Sequence, residues 1–216
     1  MNPTGRLPYT IARRESDYGH LLNASVALDD VYFPEDNFTE GLFLDYRAFD
    51  RDGVDVRFEF GFGLGYTTFE YDKDHGLDVH VEEEIVREWP DPEVSVVQGG
   101  HPQLWDVVAK VRCFVRNTGE VSGAEIAQLY VGVPPPEGSD EDEDKETPIR
   151  TLRGFEKIGP LEPGEKGYAI FELTRRDLSV WDVERQQWRL RRGTYKLWVG
   201  ASSRDLRVSG RLDIIE

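Results

Sequence analysis

From Leu104 onward the chain is written in a period of two. Val107, Ala109, Val111, Cys113 and Val115 alternate with residues that include Lys110, Arg112 and Arg116. Successive strand side chains point to opposite faces, so this pattern makes a strand with one buried face and one wet face, and a helix is excluded. Asn117-Thr118-Gly119 then reads as a turn. Further strands are expected at Glu125 to Val133, Arg150 to Ile158, Gly167 to Leu173, Thr194 to Ala201 and near Arg207 to Ile214. Pro163-Gly164 and Arg192-Gly193 supply turns between them. Six or seven short strands at this spacing predict a mainly β chain, a fibronectin type III or immunoglobulin-like β-sandwich over 105–216. Cys113 is the sole cysteine, so the immunoglobulin disulfide is excluded, and its apolar neighbours predict a buried core thiol.

The second constraining stretch is Phe58 to Tyr71, F-E-F-G-F-G-L-G-Y-T-T-F-E-Y. Five aromatic rings between Phe58 and Phe69 surround Gly61, Gly63 and Gly65, where backbones can approach closely. The G-x-G-x-G spacing, with no lysine and no helix after it, does not make a phosphate loop. It predicts instead a glycine-kinked aromatic corner at a packed junction. Residues 2–57 show no sustained helical periodicity and too few repeating elements to close two layers around a core. Residues 72–104 read as a connector broken by Pro90, Pro92, Gly99, Gly100 and Pro102, with a strand expected at Glu93 to Val97.

Phe58 to Phe69 resembles the F-x-F-G-x-G-L-S-Y-T-x-F signature near the C-terminal end of glycoside hydrolase family 3 β-glucosidases, with Gly65 in place of the usual serine. Five further blocks agree in order: Asn2 to Tyr9, Thr39 to Asp50, Val115 to Gly123, Leu152 to Lys157 and Arg176 to Asp182. The resemblance implies that residues 1–71 are the incomplete C-terminal tail of an α/β sandwich domain, ahead of a complete fibronectin type III-like domain. Alone, such a tail would present unpaired edges and aromatic faces, so it must lean on the following domain or stay poorly ordered. The resemblance also implies a parent enzyme, secreted, that hydrolyses terminal β-D-glucosyl residues of cellobiose-type substrates by a retaining mechanism. Its partners here would be the barrel and α/β sandwich domains of that parent.

A retaining glycosidase needs two carboxyl groups about 5 Å apart. In the resembled enzymes the nucleophilic aspartate lies in an N-terminal barrel and the acid/base glutamate earlier than any segment matched here. No catalytic residue is therefore carried over, and the chain alone is expected to be inactive. Glu40, Asp45, Asp50 and Glu59 lie close together in the family-like part but read as surface or structural carboxylates. His20, His75, His80 and His101 show no zinc spacing, and no serine stands in G-x-S-x-G, so neither metal nor cofactor is expected.

The alternative to the fragment reading is a stand-alone fibronectin type III-like module that binds carbohydrate or protein. Trp181, Trp188 and Trp198 carry apolar ring faces of the kind that stack on sugars, with core or junction packing as the competing role. A formal net charge of -16 argues against nucleic acid or an anionic membrane as partner. The run 134–148 carries seven acidic residues and one lysine, and its spacing does not match an EF-hand loop, so it reads as a solvated acidic loop. Asn23 and Asn37 stand in N-x-[ST] triplets and are candidate glycosylation sites. No window is apolar enough to span a bilayer, and Met1 to Arg14 lacks the apolar core of a signal peptide.

Overall fold

The structure, a computed structural model, describes residues 2–22, 39–82, 87–136, 138 and 147–214. In chain order the strands are β1 (Ile11–Ala12), β2 (Val56–Phe58), β3 (Phe69–Tyr71), β4 (Asp78–Val81), β5 (Val107–Asn117), β6 (Gly123–Gly132), β7 (Thr151–Leu161), β8 (Lys166–Thr174), β9 (Ser179–Asp182), β10 (Gln187–Leu190), β11 (Gly193–Gly200) and β12 (Leu206–Ile214). Two short α-helices, α1 (Tyr46–Arg51) and α2 (Arg175–Leu178), and 3-10 turns at Glu15–Leu22 and Pro102–Trp105 complete the described elements. The seven acidic residues of the 134–148 run all fall outside the described residues.

Two antiparallel sheets face each other. One runs β12-β11-β6-β7; in the other β5 carries β8 on one side and both β3 and β4 on the other. The alternation that marks β5 in the sequence survives as Val111, Cys113 and Val115, all buried, while Lys110 and Arg112 face water. Near the strand's start a register shift between Val107 and Ala109 breaks the alternation, so Val108 and Ala109 are both buried. Across the interlayer space lie Ala127, Leu129 and Val131 of β6 and Tyr195, Leu197 and Val199 of β11. Asn117 closes β5 with its side chain fully buried. Its amide donates to the carbonyls of Val121 and Leu161, so the turn after β5 is held from within.

The stretch Glu93–Val97, expected as a strand, is a turn with one isolated bridge between Val97 and Gly100. It finds no partner strand, and without one its backbone groups have no ladder to join. Upstream of Leu104, β3 and β4 do pair with β5, so the sheet is completed by strands from that part of the chain.

β6 is buried on both faces. Its inner face meets the core; its outer face, with Gln128 and Tyr130, is covered by residues of the first 71. The Gln128 amide donates to the carbonyls of Gly61 (3.0 Å) and Ala201 (2.6 Å), and the Tyr130 hydroxyl donates to Gln128 Oε1 (2.7 Å). Tyr46 of α1 stacks on Phe60 at 4.7 Å and meets Tyr130 edge-on at 6.0 Å, and its hydroxyl accepts from the Leu152 amide. The N-terminal segment thus leans on the sandwich, one of its two expected outcomes.

A buried electrostatic tie is made at Asp50, whose side chain is only 7% exposed. It accepts from Arg150 Nη2 at 2.7 Å and from Arg204 Nε at 3.0 Å. Removing one member of a buried ionic group leaves its partners uncompensated, which is far costlier than the net value of the pair. Asp50→Ala is expected to lower the unfolding free energy by about 3 kcal/mol, the low end of the range because both arginines keep some solvent access. Denaturant unfolding measures this, and Asp50→Asn, which keeps an acceptor, should lose less. Burial pushes the Cys113 thiol up to about 12, with Asp72 adding to the shift. A thiol whose folded pKa is raised contributes stability that is fully present below the ordinary thiol range and lost as pH rises toward 12. At pH 9 Cys113 should therefore alkylate only as fast as the chain unfolds, read by mass spectrometry across a denaturant series.

Candidate functional site

The glycine corner builds a site from backbone. Gly61 has φ +81°, and a Cβ there would stand 2.1 Å from Gln128 Oε1. At Gly63 a Cβ would meet Arg6 Nη1 at 2.2 Å and the Gly5 carbonyl at 2.6 Å. The close approach lets Leu7 and the corner exchange backbone bonds: Leu7 N–H to Phe62 O at 2.9 Å, Gly61 N–H to Leu7 O at 2.8 Å. Gly65, where the resembled signature carries serine, differs. Its nearest contact for a Cβ is Asn2 Oδ1 at 3.4 Å, and its φ lies outside the left-handed region.

Around this corner several polar groups pair across the junction. Arg6 forms an ion pair with Glu125, whose carboxyl burial pushes up from the ordinary glutamate range against the pull of Arg6. Glu59 accepts from Ser202 Oγ at 2.7 Å. Arg207 donates to the Phe69 carbonyl and forks onto Asp205, whose carboxyl that bond holds below its ordinary range. In the same N-terminal segment apolar side chains stand in water: Leu64 at 73% exposure, at a depression shared with Glu125, Ala201 and Arg207, Tyr66 at 74%, and also Tyr9, Leu42 and Leu44. The segment is thus fixed to the sandwich by polar pairs while part of its apolar area stays uncovered.

The carboxylates singled out by sequence are taken up in structural roles. Asp45, with φ +52° at the start of α1, accepts from Thr10 N at 2.9 Å and Thr10 Oγ1 at 2.8 Å. Asp50 and Glu59 join the tail to the sandwich, and Glu40 lies in a separate depression with Asp17, Tyr18 and Asp45. His75 pairs with Asp72 at 2.9 Å and His80 lies 3.7 Å from Glu82, both exposed. His101 bonds the Asp91 carbonyl through Nε2 and accepts from Gln103 N at Nδ1. The His20 side chain, Asn23 and Asn37 lie outside what the structure describes.

Of the three tryptophans, Trp181 is 46% exposed and pairs across β9 and β10 with half-buried Trp188, ring centroids 5.6 Å apart. Trp198 is half-buried, its ring lying against Gly132, in keeping with the packing role. Sequence reasoning passed over Trp105 and Trp89. Arg176 sits over both Trp105 (5.4 Å) and Trp188 (5.6 Å), and Arg185 and Arg189 sit over Trp89. The signal that could have found them is the concentration of arginines from Arg175 to Arg192, in an acidic chain, around Trp181 and Trp188.

Residues 125–203 match the model of the fibronectin type III-like domain. Over 214 residues the chain is 48% identical to probable β-glucosidase M of Aspergillus niger, covering 99% of this chain and 26% of that protein. It is 48% identical over 209 residues to probable β-glucosidase L of Neosartorya fischeri, covering 96% and 25%. Among solved structures, the β-D-glucoside glucohydrolase of Trichoderma reesei superposes with a TM-score of 0.82 at 39% identity, covering all of this chain and 27% of that one. A glycoside hydrolase family 3 β-glucosidase of Neurospora crassa gives 0.76 at 29%, with 98% and 32% covered. The chain spans about a quarter of the length of the curated relatives it matches.

The corner makes a paired prediction. Gly61→Ala adds a left-handed backbone penalty and displaces a buried, hydrogen-bonded amide, and is expected to cost about 2 kcal/mol. Gly65→Ser should change stability by less than about 0.5 kcal/mol. Thermal unfolding of the two variants distinguishes them.

Proposed function

The homologues of this chain are β-glucosidases of glycoside hydrolase family 3, it corresponds to their C-terminal part, and from that premise we propose that it is the bracing segment of such an enzyme. The observation that carries the reading is the asymmetry of the first 71 residues. They are tied to the sandwich through Arg6, Asp50 and Glu59, yet leave Leu64, Tyr66, Tyr9, Leu42 and Leu44 uncovered. Covering that apolar face is the work of the rest of the parent hydrolase, its barrel and the main body of its α/β sandwich domain. In this reading residues 1–71 are the tail of that sandwich domain, 72–104 a connector that lends β4 to the next sheet, and 105–216 the fibronectin type III-like domain.

The parent hydrolyses terminal β-D-glucosyl residues with retention, using two carboxyl groups supplied from its other domains. Asp45, Asp50 and Glu59 are committed to structural partners, which supports assigning this chain positioning of those domains and no chemical step.

Complementation tests this. Residues 1–216 should release no p-nitrophenol from p-nitrophenyl β-D-glucoside. Co-expressed with the remaining three quarters of the Aspergillus niger relative, they should restore activity that neither part has alone. The double variant Leu64→Asp, Tyr66→Asp should fold as the unmodified chain does by circular dichroism and fail to complement. Hydrolysis by the chain alone, or complementation unaffected by the two aspartates, overturns the proposal.

A further inference from the structure

On the sandwich, remote in sequence from the glycine corner, a cleft of about 480 Å³ opens between the 90–105 segment and the β9–β10 hairpin. Trp105, Trp181, Trp188, Arg176, Gln186 and Gln187 line it, and buried Leu104 lies at its base. Trp105 is 55% exposed, and with Trp181 it leaves two large rings in water, where rings of this size are mostly buried. They are not loose. Arg176 bridges Trp105 and Trp188, Trp188 packs edge-on against Trp181 within the hairpin, and His101 fastens the opposite wall by spending both ring nitrogens on the backbone. Rings held in place before a ligand arrives lose little freedom when it binds.

The polar groups on the rim decide the class of ligand. The Gln187 side chain is exposed and has no hydrogen bond within the described residues. Gln186 uses its Nε2 on the Val183 carbonyl and keeps its oxygen. An amide offers both donor and acceptor, which suits hydroxyl groups. Arg176, the cation of the cleft, lies over two indoles, and Asp91 Oδ1 accepts from the Glu93 amide. Arg176 keeps its charge and can still donate from its edge, and Asp91 keeps an acceptor, so the cleft sets amide, donor and acceptor groups beside aromatic faces, a combination that fits the hydroxyl edge and apolar C–H face of a pyranose. The cleft's volume is in the range of small-ligand sites, whereas a stable protein partner needs roughly 800 Å² of its own surface buried.

We propose that this cleft is a non-catalytic binding site for one or two pyranose rings of a neutral gluco-oligosaccharide. The choice of glucose rests on the β-glucosidase reading; the site itself rests on the cleft. In the parent it would hold a polymeric substrate away from the reacting bond.

The test is a titration of residues 1–216 with cellotriose and laminaritriose, followed by tryptophan fluorescence and by indole N–H resonances in NMR. A saturable change centred on Trp105, Trp181 and Trp188 is expected, with Trp198 unmoved. Trp105→Ala and Trp181→Ala should each weaken binding by roughly tenfold or more, about 1.4 kcal/mol, and Gln187→Ala by less. Should either tryptophan variant fail to fold, the resonance map of the unmodified chain still decides. No saturable change with either sugar, a change centred on Trp198, or affinity untouched by the variants overturns the proposal. So does an indole shift that appears only when the rest of the hydrolase is added, since the cleft would then be a domain seat. None of these outcomes alters complementation of hydrolytic activity, so the two readings fail separately.

Discussion

Asp50 reaches from α1 to two arginines, Arg150 just before β7 and Arg204 in the turn between β11 and β12, and the layout of the chain depends on that fork. Each arginine is further fixed on backbone, Arg150 Nε on the Ser203 carbonyl and Arg204 Nη2 on the Val54 carbonyl. The fork therefore joins three segments distant in sequence. It also presses α1 onto the outer face of β6, where Tyr46 meets Tyr130. Without that cover Gln128 and Tyr130 would be a polar and aromatic stripe on an open sheet; with it they are buried and satisfied.

Much of this fold was legible because strands write their burial into the chain at every second residue. Thr151–Leu161, Lys166–Thr174 and Gly193–Gly200 extend at most a few residues beyond the pieces that alternation and turns mark out. The misses have physical causes. Glu93–Val97 has β-favouring valines and no neighbour to pair with, and pairing is a property of two segments. Helix α1, six residues long, is too short to show a helical period and is held by tertiary contacts of Tyr46 and Phe49. At the junction the glycines pointed to close packing, yet the partners Gln128, Arg150 and Arg204 lie up to 154 residues away and carry no local mark. In the cleft Trp181 and Trp188 were visible as sugar-stacking types. Trp105 was not, because its neighbourhood with Arg176 exists only once α2 and the 90–105 segment are brought together.

The charge distribution follows the same division. The chain is strongly acidic, but its arginines are used locally as planar caps: Arg176 over Trp105 and Trp188, Arg189 over Trp89, Arg207 over Tyr71. A guanidinium can lie over a ring and still donate at its edge, as Arg189 does to Glu88 at 2.7 Å and Arg207 to Asp205. Lysine could supply the charge but not the plate, so these positions are specific to arginine.

At the glycine corner the closest approaches are made by main chain and by absent side chains. A contact made that way records the path of the chain and is indifferent to the identity of the residues turned outward. Leu64 and Tyr66 can then be exchanged for other side chains while the backbone contact beneath them stays where it is. The fold separates what the outer face recognises from how that face is carried, so related chains can drift in the first and remain superposable in the second.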